Sequence, residues 1–298
     1  MKVFGNIIQV QRAVLALGFF DGVHKGHQEI IKKMVECAGF YNVPSVLITF
    51  KHSPAEAFCD DVKYITDNKQ KECIISGFGV DYMLELDFNE TLMNMTHCQY
   101  LENILYKNLH PSVIITGFNH TFGKDKMGTP EFLRQNEDKY GYKYIETGAV
   151  MIGGKPVSST LIKESLSRGD IKNAVNMLGR EFEISGTVIE GNHIGRTIGF
   201  PTANIRYPEN IVEIPYGVYV CNVLTGNQLY KGVLNYGLKP TINEQIKIPV
   251  AEVHIIGFNK DIYGEEIKVY LKDKIRDEIK FHSLDELRNQ INEDMKKC

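Results

Sequence analysis

The sequence predicts two domains: an N-terminal α/β domain built on a parallel sheet with helices on both faces, and a C-terminal small closed antiparallel β-barrel with a terminal helix. Three observations predict them. Up to about residue 180, short apolar runs alternate with longer stretches of helical period. Beyond Phe182, short strand candidates follow closely and are punctuated by glycine and proline. The 298 residues are enough for two cores, and 43% hydrophobic with 24% charged residues is the balance of a globular chain. The expected division is 1–180 and 181–298.

In the first domain the runs 14–18, 46–50, 80–86 and 113–116 read as strands buried on both faces. After His27, the residues Ile30, Ile31, Met34, Val35 and Ala38 share one helical face. Thr96 and Gln99 carry the signature of a capping box, opening a helix that runs to about Leu109. Thr129 followed by Pro130 marks another helix start. In the second domain the strand candidates are 182–189, 217–224, 229–236, 250–256 and 267–271. Ser283 and Glu286 spell a further capping box, with Leu284, Leu287 and Ile291 as the apolar stripe of the last helix.

Composition excludes several classes. The net charge of -3 argues against a nucleic-acid partner, which calls for a basic face. Small phosphorylated ligands stay compatible, because they need only a few local cations or backbone N–H groups. The six cysteines include no C-x-x-C pair, so free thiols are expected rather than a zinc site or a disulfide framework. The apolar run 13–20 is too short to span a bilayer and lacks a signal-peptide cleavage site. A cytoplasmic protein with no membrane partner is the expectation. A G-x-G-x-x-G fingerprint is absent, which disfavours a dinucleotide-binding dehydrogenase.

Two constellations carry chemistry. Gly18-Phe19-Phe20-Asp21-Gly22-Val23-His24-Lys25-Gly26-His27 follows the first buried strand and opens a helix. Free N–H groups and the helix dipole draw phosphate to such a start, and imidazole donors there can stabilise charge on a phosphorus under attack. Gly26 lets phosphates approach the backbone. Taken alone, His24 and His27 also read as ordinary polar residues on a helix start. Ser158-Ser159-Thr160 opens a later helix and offers hydroxyls to another part of a triphosphate. H-x-G-H early with S-S-T late resembles the nucleotidyltransferase superfamily, which makes Gly18, Phe19, Phe20, Gly26, Ser158, Ser159, Thr160 and Lys163 the candidate ATP contacts.

The second constellation is Gly191-Asn192-His193-Ile194-Gly195-Arg196-Thr197-Ile198-Gly199-Phe200-Pro201-Thr202-Ala203-Asn204. Its glycines permit a loop to close over phosphates, with Gly191, Gly195 and Arg196 as ATP contacts. Thr202 and Asn204 sit at alternate strand positions and point the same way, offering oxygens suited to Mg2+. A glycine-rich hairpin with solvent-facing polar residues is the plainer reading of that stretch alone.

Together with Gly217-Val218-Tyr219, Asn235-Tyr236-Gly237-Leu238-Lys239-Pro240-Thr241, Glu252-Val253-His254, Asp261-Ile262-Tyr263-Gly264 and Arg276-Asp277-Glu278-Ile279-Lys280-Phe281, the order of motifs resembles the bacterial bifunctional riboflavin kinase/FAD synthetase family. The resemblance runs from about Gly18 to about Asp294. It implies a Rossmann-like nucleotidyltransferase domain that adenylylates FMN with ATP to give FAD, and a barrel that phosphorylates riboflavin with ATP to give FMN. It implies Glu252 as general base, Thr202 and Asn204 as magnesium and phosphate ligands, and the Arg276-to-Phe281 segment as a loop closing over the flavin. It implies His24 and His27 as phosphate-stabilising residues, Asn119 as a residue near the metal and the flavin, and Asp170 as an acidic partner of the same magnesium. Lys163 and Lys126 stand where the family commonly has arginine, and lysine keeps the charge but loses the bidentate fork. Two alternatives follow: a riboflavin kinase with a weakened adenylyltransferase domain, and a flavin or nucleotide sensor without turnover.

Overall fold

The computed structural model describes residues 1–59, 61–191, 194–240 and 247–298. It divides into two compact units, Met1–Ser159 and Thr160–Cys298. The first unit is built on six parallel strands: β1 (Lys2–Phe4), β2 (Ala13–Leu17), β3 (Ser45–Phe50), β4 (Tyr82–Leu86), β5 (Pro111–Gly117) and β6 (Lys143–Thr147), in the order β1-β4-β3-β2-β5-β6. A short hairpin of β7 (Met151–Ile152) and β8 (Lys155–Pro156) follows.

The continuous apolar runs become strands buried on both faces because successive side chains feed two different cores. Leu15, Leu17, Ile48, Leu84 and Ile114 pack on one face. Val14, Ala16, Leu47, Met83 and Ile115 pack on the other. Helix α1 (Lys25–Tyr41) covers this second face with Ile30, Ile31, Met34, Cys37 and Ala38. Val35, expected on that stripe, is only partly buried against it. The first face is covered by the helical stretch 97–109, whose Tyr100, Leu101, Leu105 and Leu109 enter the core. Both arms of the capping box at Thr96 and Gln99 form, and the stretch runs as a π-helix over Tyr100–Tyr106. The edge strands β1 and β6 escape the sequence reading because their residues are exposed or half-buried and show no apolar run.

The helix Ser159–Ser167 begins at the last residue of the first unit, and the helix Ile171–Leu178 follows in the second. The latter buries Ile171, Ala174, Met177 and Leu178 and packs on two barrel strands. The compact units therefore divide ahead of the change in strand rhythm at residue 180. The strands β9 (Phe182–Ile189), β10 (Thr202–Arg206), β11 (Gly217–Thr225), β12 (Gln228–Pro240), β13 (Lys247–Ile255) and β14 (Glu266–Arg276) close into an antiparallel barrel in the order β10-β13-β12-β11-β14-β9. Ala203, Tyr219, Leu234, Tyr236, Val253 and Val269 are buried at alternate positions and fill its interior.

The terminal helix Leu284–Met295 is capped by Ser283, which accepts the Glu286 N–H at 3.2 Å. The Glu286 carboxylate takes the N–H of His282 at 2.9 Å, so the reciprocal arm of the expected box slips back by one residue. Leu284, at the first helical position, is 57% exposed and lies off the stripe expected for it.

Ile31 is fully buried between α1 and the sheet. Ile31→Ala is expected to lower the stability of the first unit by about 2–5 kcal/mol in urea titration. Phe40→Ala, on the same helix but at an 82% exposed position, should stay within about 0.5 kcal/mol.

Candidate functional site

In the first unit the chain passes from β2 to β3 and β4 on one side, then returns to β5 on the other. A parallel sheet whose order reverses in this way opens a crevice beyond the C-terminal ends of the two strands at the reversal, here β2 and β5. The segment from Gly18 to His27 leaves β2 at this point, and Gly117-Phe118-Asn119 leaves β5.

The first of these segments is tied down from several sides. Thr49 donates its hydroxyl to the Phe19 carbonyl at 2.8 Å, and the Asp21 carboxylate accepts the Ile65 N–H at 2.8 Å. The Gly22 N–H donates to the Thr66 hydroxyl at 3.2 Å, and the Ser159 hydroxyl donates to the Asp21 carbonyl at 3.0 Å. Held so, Phe20 and Val23 take left-handed φ of 58° and 38° although neither is glycine. Such residues cost on the order of 1–3 kcal/mol each and persist only where the surroundings over-determine them. At Gly22, with φ of 74°, a Cβ would fall 2.9 Å from the Ile65 side chain.

His24 is the N-cap of α1, and its Nδ1 accepts the His27 backbone N–H at 3.3 Å. An accepting Nδ1 places the ring proton on Nε2, so His24 presents an N–H donor at a helix start. The His27 ring stacks on it with centroids 3.6 Å apart, and Phe20 meets His27 edge-on. A Cβ at Gly26 would press on the His24 ring at 3.2 Å, so this glycine makes room for the imidazole. Ser158 and Ser159 stand half-buried at the end of the first unit; Thr160 is exposed and Lys163 half-buried in the second. Asn119 is exposed at the end of β5. Asp170, in the second unit, caps the helix Ile171–Leu178 by accepting the Asn173 N–H at 3.2 Å.

Beyond the same strand ends lies a cavity of about 390 Å³ with aromatic and aliphatic walls, among them Gly18, Phe50, Phe88, Tyr100, His120 and Phe122. Sequence reasoning missed most of these walls. Their signal is positional: Phe50 ends β3, Phe88 follows β4, and His120 and Phe122 follow β5, where an open parallel sheet takes its ligands. Burial pushes the His120 imidazole down to about 4, which keeps it neutral at physiological pH.

In the barrel, register aligns Asn204 of β10 with Glu252 of β13, Glu252 with Asn235 of β12, Asn235 with Val218 of β11, and Val218 with Arg276 of β14. Ala251 and Val253 point inward, so Glu252 faces outward, as strand alternation requires. This outer face is covered by the segment after β14 and by the terminal helix. They enclose a cavity of about 330 Å³ lined by Thr202, Asn235, Glu252, Arg276, Phe281 and Leu287. Glu252 is half-buried there. A second cavity of about 310 Å³, walled by Val188, Phe258, Ile262 and Tyr263, shares Thr202 with the first.

Asn204 is 4% exposed beneath the start of the glycine-rich loop. A Cβ at Gly191 would fall 2.3 Å from the Asn204 amide nitrogen, and one at Gly195 would fall 2.3 Å from the Phe200 carbonyl oxygen. Only glycine lets this loop close so tightly. His254 hydrogen-bonds the Pro201 carbonyl through Nδ1 at 2.9 Å, which leaves its Nε2 as an acceptor. Asn192, His193, Thr241 and the Arg196 side chain lie outside the described residues.

Arg276 has a structural task besides lining the cavity. Its Nε donates to Asp294 at 3.1 and 3.2 Å and its Nη2 at 2.8 Å, binding the terminal helix over the barrel face. The Asp294 side chain is 1% exposed. Sequence reasoning also missed Glu278, a second carboxylate on this cavity, whose pKa burial pushes up, with the Glu252 charge adding to the rise and Arg276 opposing it. Asp294→Ala leaves Arg276 without its buried counter-ion and is expected to lower the stability of the second unit by about 3–5 kcal/mol in thermal or urea unfolding.

Two family models match the chain: FAD synthetase over residues 7–161 and riboflavin kinase over residues 178–298. The bifunctional riboflavin kinase/FMN adenylyltransferase of Buchnera aphidicola subsp. Schizaphis graminum is 35% identical over 99% of this chain and 97% of its own. The proteins of the same name from Escherichia coli K12 and Bacillus subtilis are 34% and 33% identical, covering 93% and 96% of this chain and 90% and 91% of theirs. A solved chain from Streptococcus pneumoniae, described as a macrolide-efflux protein, superposes with a TM-score of 0.90 at 32% identity over 99% of this chain and 97% of its own. Among the described residues no helix is long and apolar enough to cross a membrane.

Proposed function

The chain belongs to the bifunctional riboflavin kinase/FMN adenylyltransferase family, and we propose that each unit carries one of the two reactions of that transferase. The second unit phosphorylates riboflavin with ATP, and the first adenylylates the resulting FMN with a further ATP to give FAD and pyrophosphate. The observation that carries this reading is the row Asn204–Glu252–Asn235 across three neighbouring strands, of which Glu252 and Asn235 line a cavity that shares Thr202 with a second one.

In the barrel, riboflavin occupies the cavity walled by Phe281 and Leu287, and the nucleotide occupies its neighbour. Thr202, on the shared wall, marks where the γ-phosphate meets the ribityl 5′-hydroxyl. Glu252 accepts the hydroxyl proton, the hydroxyl oxygen attacks the γ-phosphorus, and ADP leaves. The hydroxyl of Thr202 and the amide oxygen of Asn204 are donors that suit magnesium, and the close approach of Gly191 fits a loop folded over phosphates. These two residues would hold the ion, which supplies neutralisation of charge on the transferring phosphates. Arg276, Phe281 and the helix fixed by Asp294 keep water from the flavin side.

In the first unit the aromatic cavity beyond the strand ends takes FMN, and the start of α1 takes the phosphates of ATP. An FMN phosphate oxygen attacks the α-phosphorus and pyrophosphate departs. The Nε2–H of His24 and the ring of His27 stabilise the charge that develops there. Ser158 and Ser159 are assigned to the triphosphate, and the family pattern gives the same role to Thr160 and Lys163, with lysine a point charge in place of a fork. The metal roles of Asn119 and Asp170 follow from the family pattern. A sensor without turnover is disfavoured, because relatives named as enzymes cover both halves of the chain.

Product analysis of two variants tests the division. Glu252→Ala is expected to cut FMN formation by about 10²–10⁴ while FAD formation from supplied FMN persists. His27→Ala is expected to cut FAD formation by about 10²–10³ with FMN formation intact. Loss of both activities in either folded variant would contradict one reaction per unit.

A further inference from the structure

His120, Thr121, Lys124, Asp125 and Lys126 are polar residues on the aromatic cavity of the first unit, and of these His120 carries a buried side-chain nitrogen without a partner among the described residues. His120 lies three residues beyond the end of β5, held by its backbone N–H to the Gly117 carbonyl at 3.1 Å and by its ring stacked near Phe122 at 5.9 Å. The residue as a whole is half-buried, but Nε2 is shielded from solvent and has no hydrogen-bond partner among the described residues. A buried polar nitrogen left in this state is destabilising, a cost removed when a ligand supplies the partner.

The nearby walls are Leu17, Ile48, Phe50, Phe88, Tyr100 and Phe122, which favour a flat apolar ring system. An isoalloxazine fits that description at its dimethylbenzene end only. Its opposite end carries two carbonyls and a ring N–H, which enter an apolar cavity at a penalty unless something meets them.

We propose that His120 is a flavin-orienting residue of the adenylyl-transfer site, forming through Nε2 a hydrogen bond with the polar edge of the isoalloxazine ring. The inference rests on the assignment of this cavity to FMN. It makes His120 a specificity-determining contact, remote from the phosphates, which sets the direction in which the ring enters. The dimethylbenzene end is then left to apolar walls such as Phe50 and Phe88, whose rings meet edge-on with centroids 5.4 Å apart.

The test is steady-state FAD formation by His120→Phe, His120→Gln and Phe88→Ala in the full chain, with riboflavin phosphorylation measured alongside. Phe keeps the ring and removes the hydrogen bond, whereas the Gln amide nitrogen reaches close to the place of Nε2. The expected result is a rise of about tenfold in KM for FMN in His120→Phe, with KM for ATP and riboflavin phosphorylation unchanged. His120→Gln is expected to recover most of that loss. If His120→Phe leaves KM for FMN unchanged while Phe88→Ala raises it, the cavity holds FMN and the role given to His120 is overturned. A His120→Gln variant as impaired as His120→Phe overturns it too. If neither His120→Phe nor Phe88→Ala alters KM for FMN, the assignment of the cavity itself fails, and the proposal with it.

Discussion

A β-strand sends successive side chains to opposite faces, and this two-residue period decides where each half of the chain can do chemistry. In the parallel sheet both faces of β2, β3 and β5 are occupied by core: Leu15 and Ile114 serve one side, Ala16 and Ile115 the other. The strands offer a substrate only apolar wall at their ends, as at Leu17, Ile48 and Phe50, so the polar reacting groups come from the loops and helix starts beyond. In the barrel the inner face is filled by core, and part of the outer face is left for chemistry. Thr202, Asn204 and Glu252 alternate with buried Ala203, Val253 and Ala251, and stand on the outer face in fixed register. The same constraint thus puts one candidate site at the edge of a sheet and the other on the side of a barrel.

The two sites solve the problem of rigidity differently. The loop after β2 is irregular and strained at Phe20 and Val23, and is held by hydrogen bonds donated by Thr49, Ile65 and Ser159 and by one accepted by Thr66. Its strain is maintained by partners distributed along the first unit. The barrel residues inherit their placement from ladder register and need little further support. What the barrel must add is a cover, because an outer face is otherwise open to water. The buried contact of Arg276 with Asp294 fastens that cover, tying the end of β14 to the last turns of the terminal helix. A guanidinium with a planar fork suits a two-point grip of this kind.

Sequence pattern made the architecture legible because its strongest signals are periodic. Buried strands such as β2 and β3 show as unbroken apolar runs, and α1 as a 3.6-residue stripe. The edge strands β1 and β6 have no such signal, since one or both faces meet solvent. The histidines and the Thr202–Asn204 pair could be found because local spacing alone places them. The aromatic walls at Phe50, Phe88 and Tyr100 come from three separate segments, and only the fold brings them together. The attachment of Arg276 to Asp294 spans 18 residues and crosses from strand to helix, so no local pattern announces it. Glu252 was legible through family resemblance, while its solvent-facing alternation alone pointed to an exposed residue; the terminal helix and the preceding segment explain why it is half-buried.

The central claim is that one chain holds two complete sites that act in sequence. Its most direct test is a time course with purified protein, magnesium, ATP and riboflavin, resolving riboflavin, FMN, FAD and pyrophosphate, with a parallel course started from FMN. FMN is expected to rise before FAD in the first course, FAD to form without delay in the second, and pyrophosphate to appear in step with FAD. FAD without prior FMN, or no flavin product in either course, would contradict the claim.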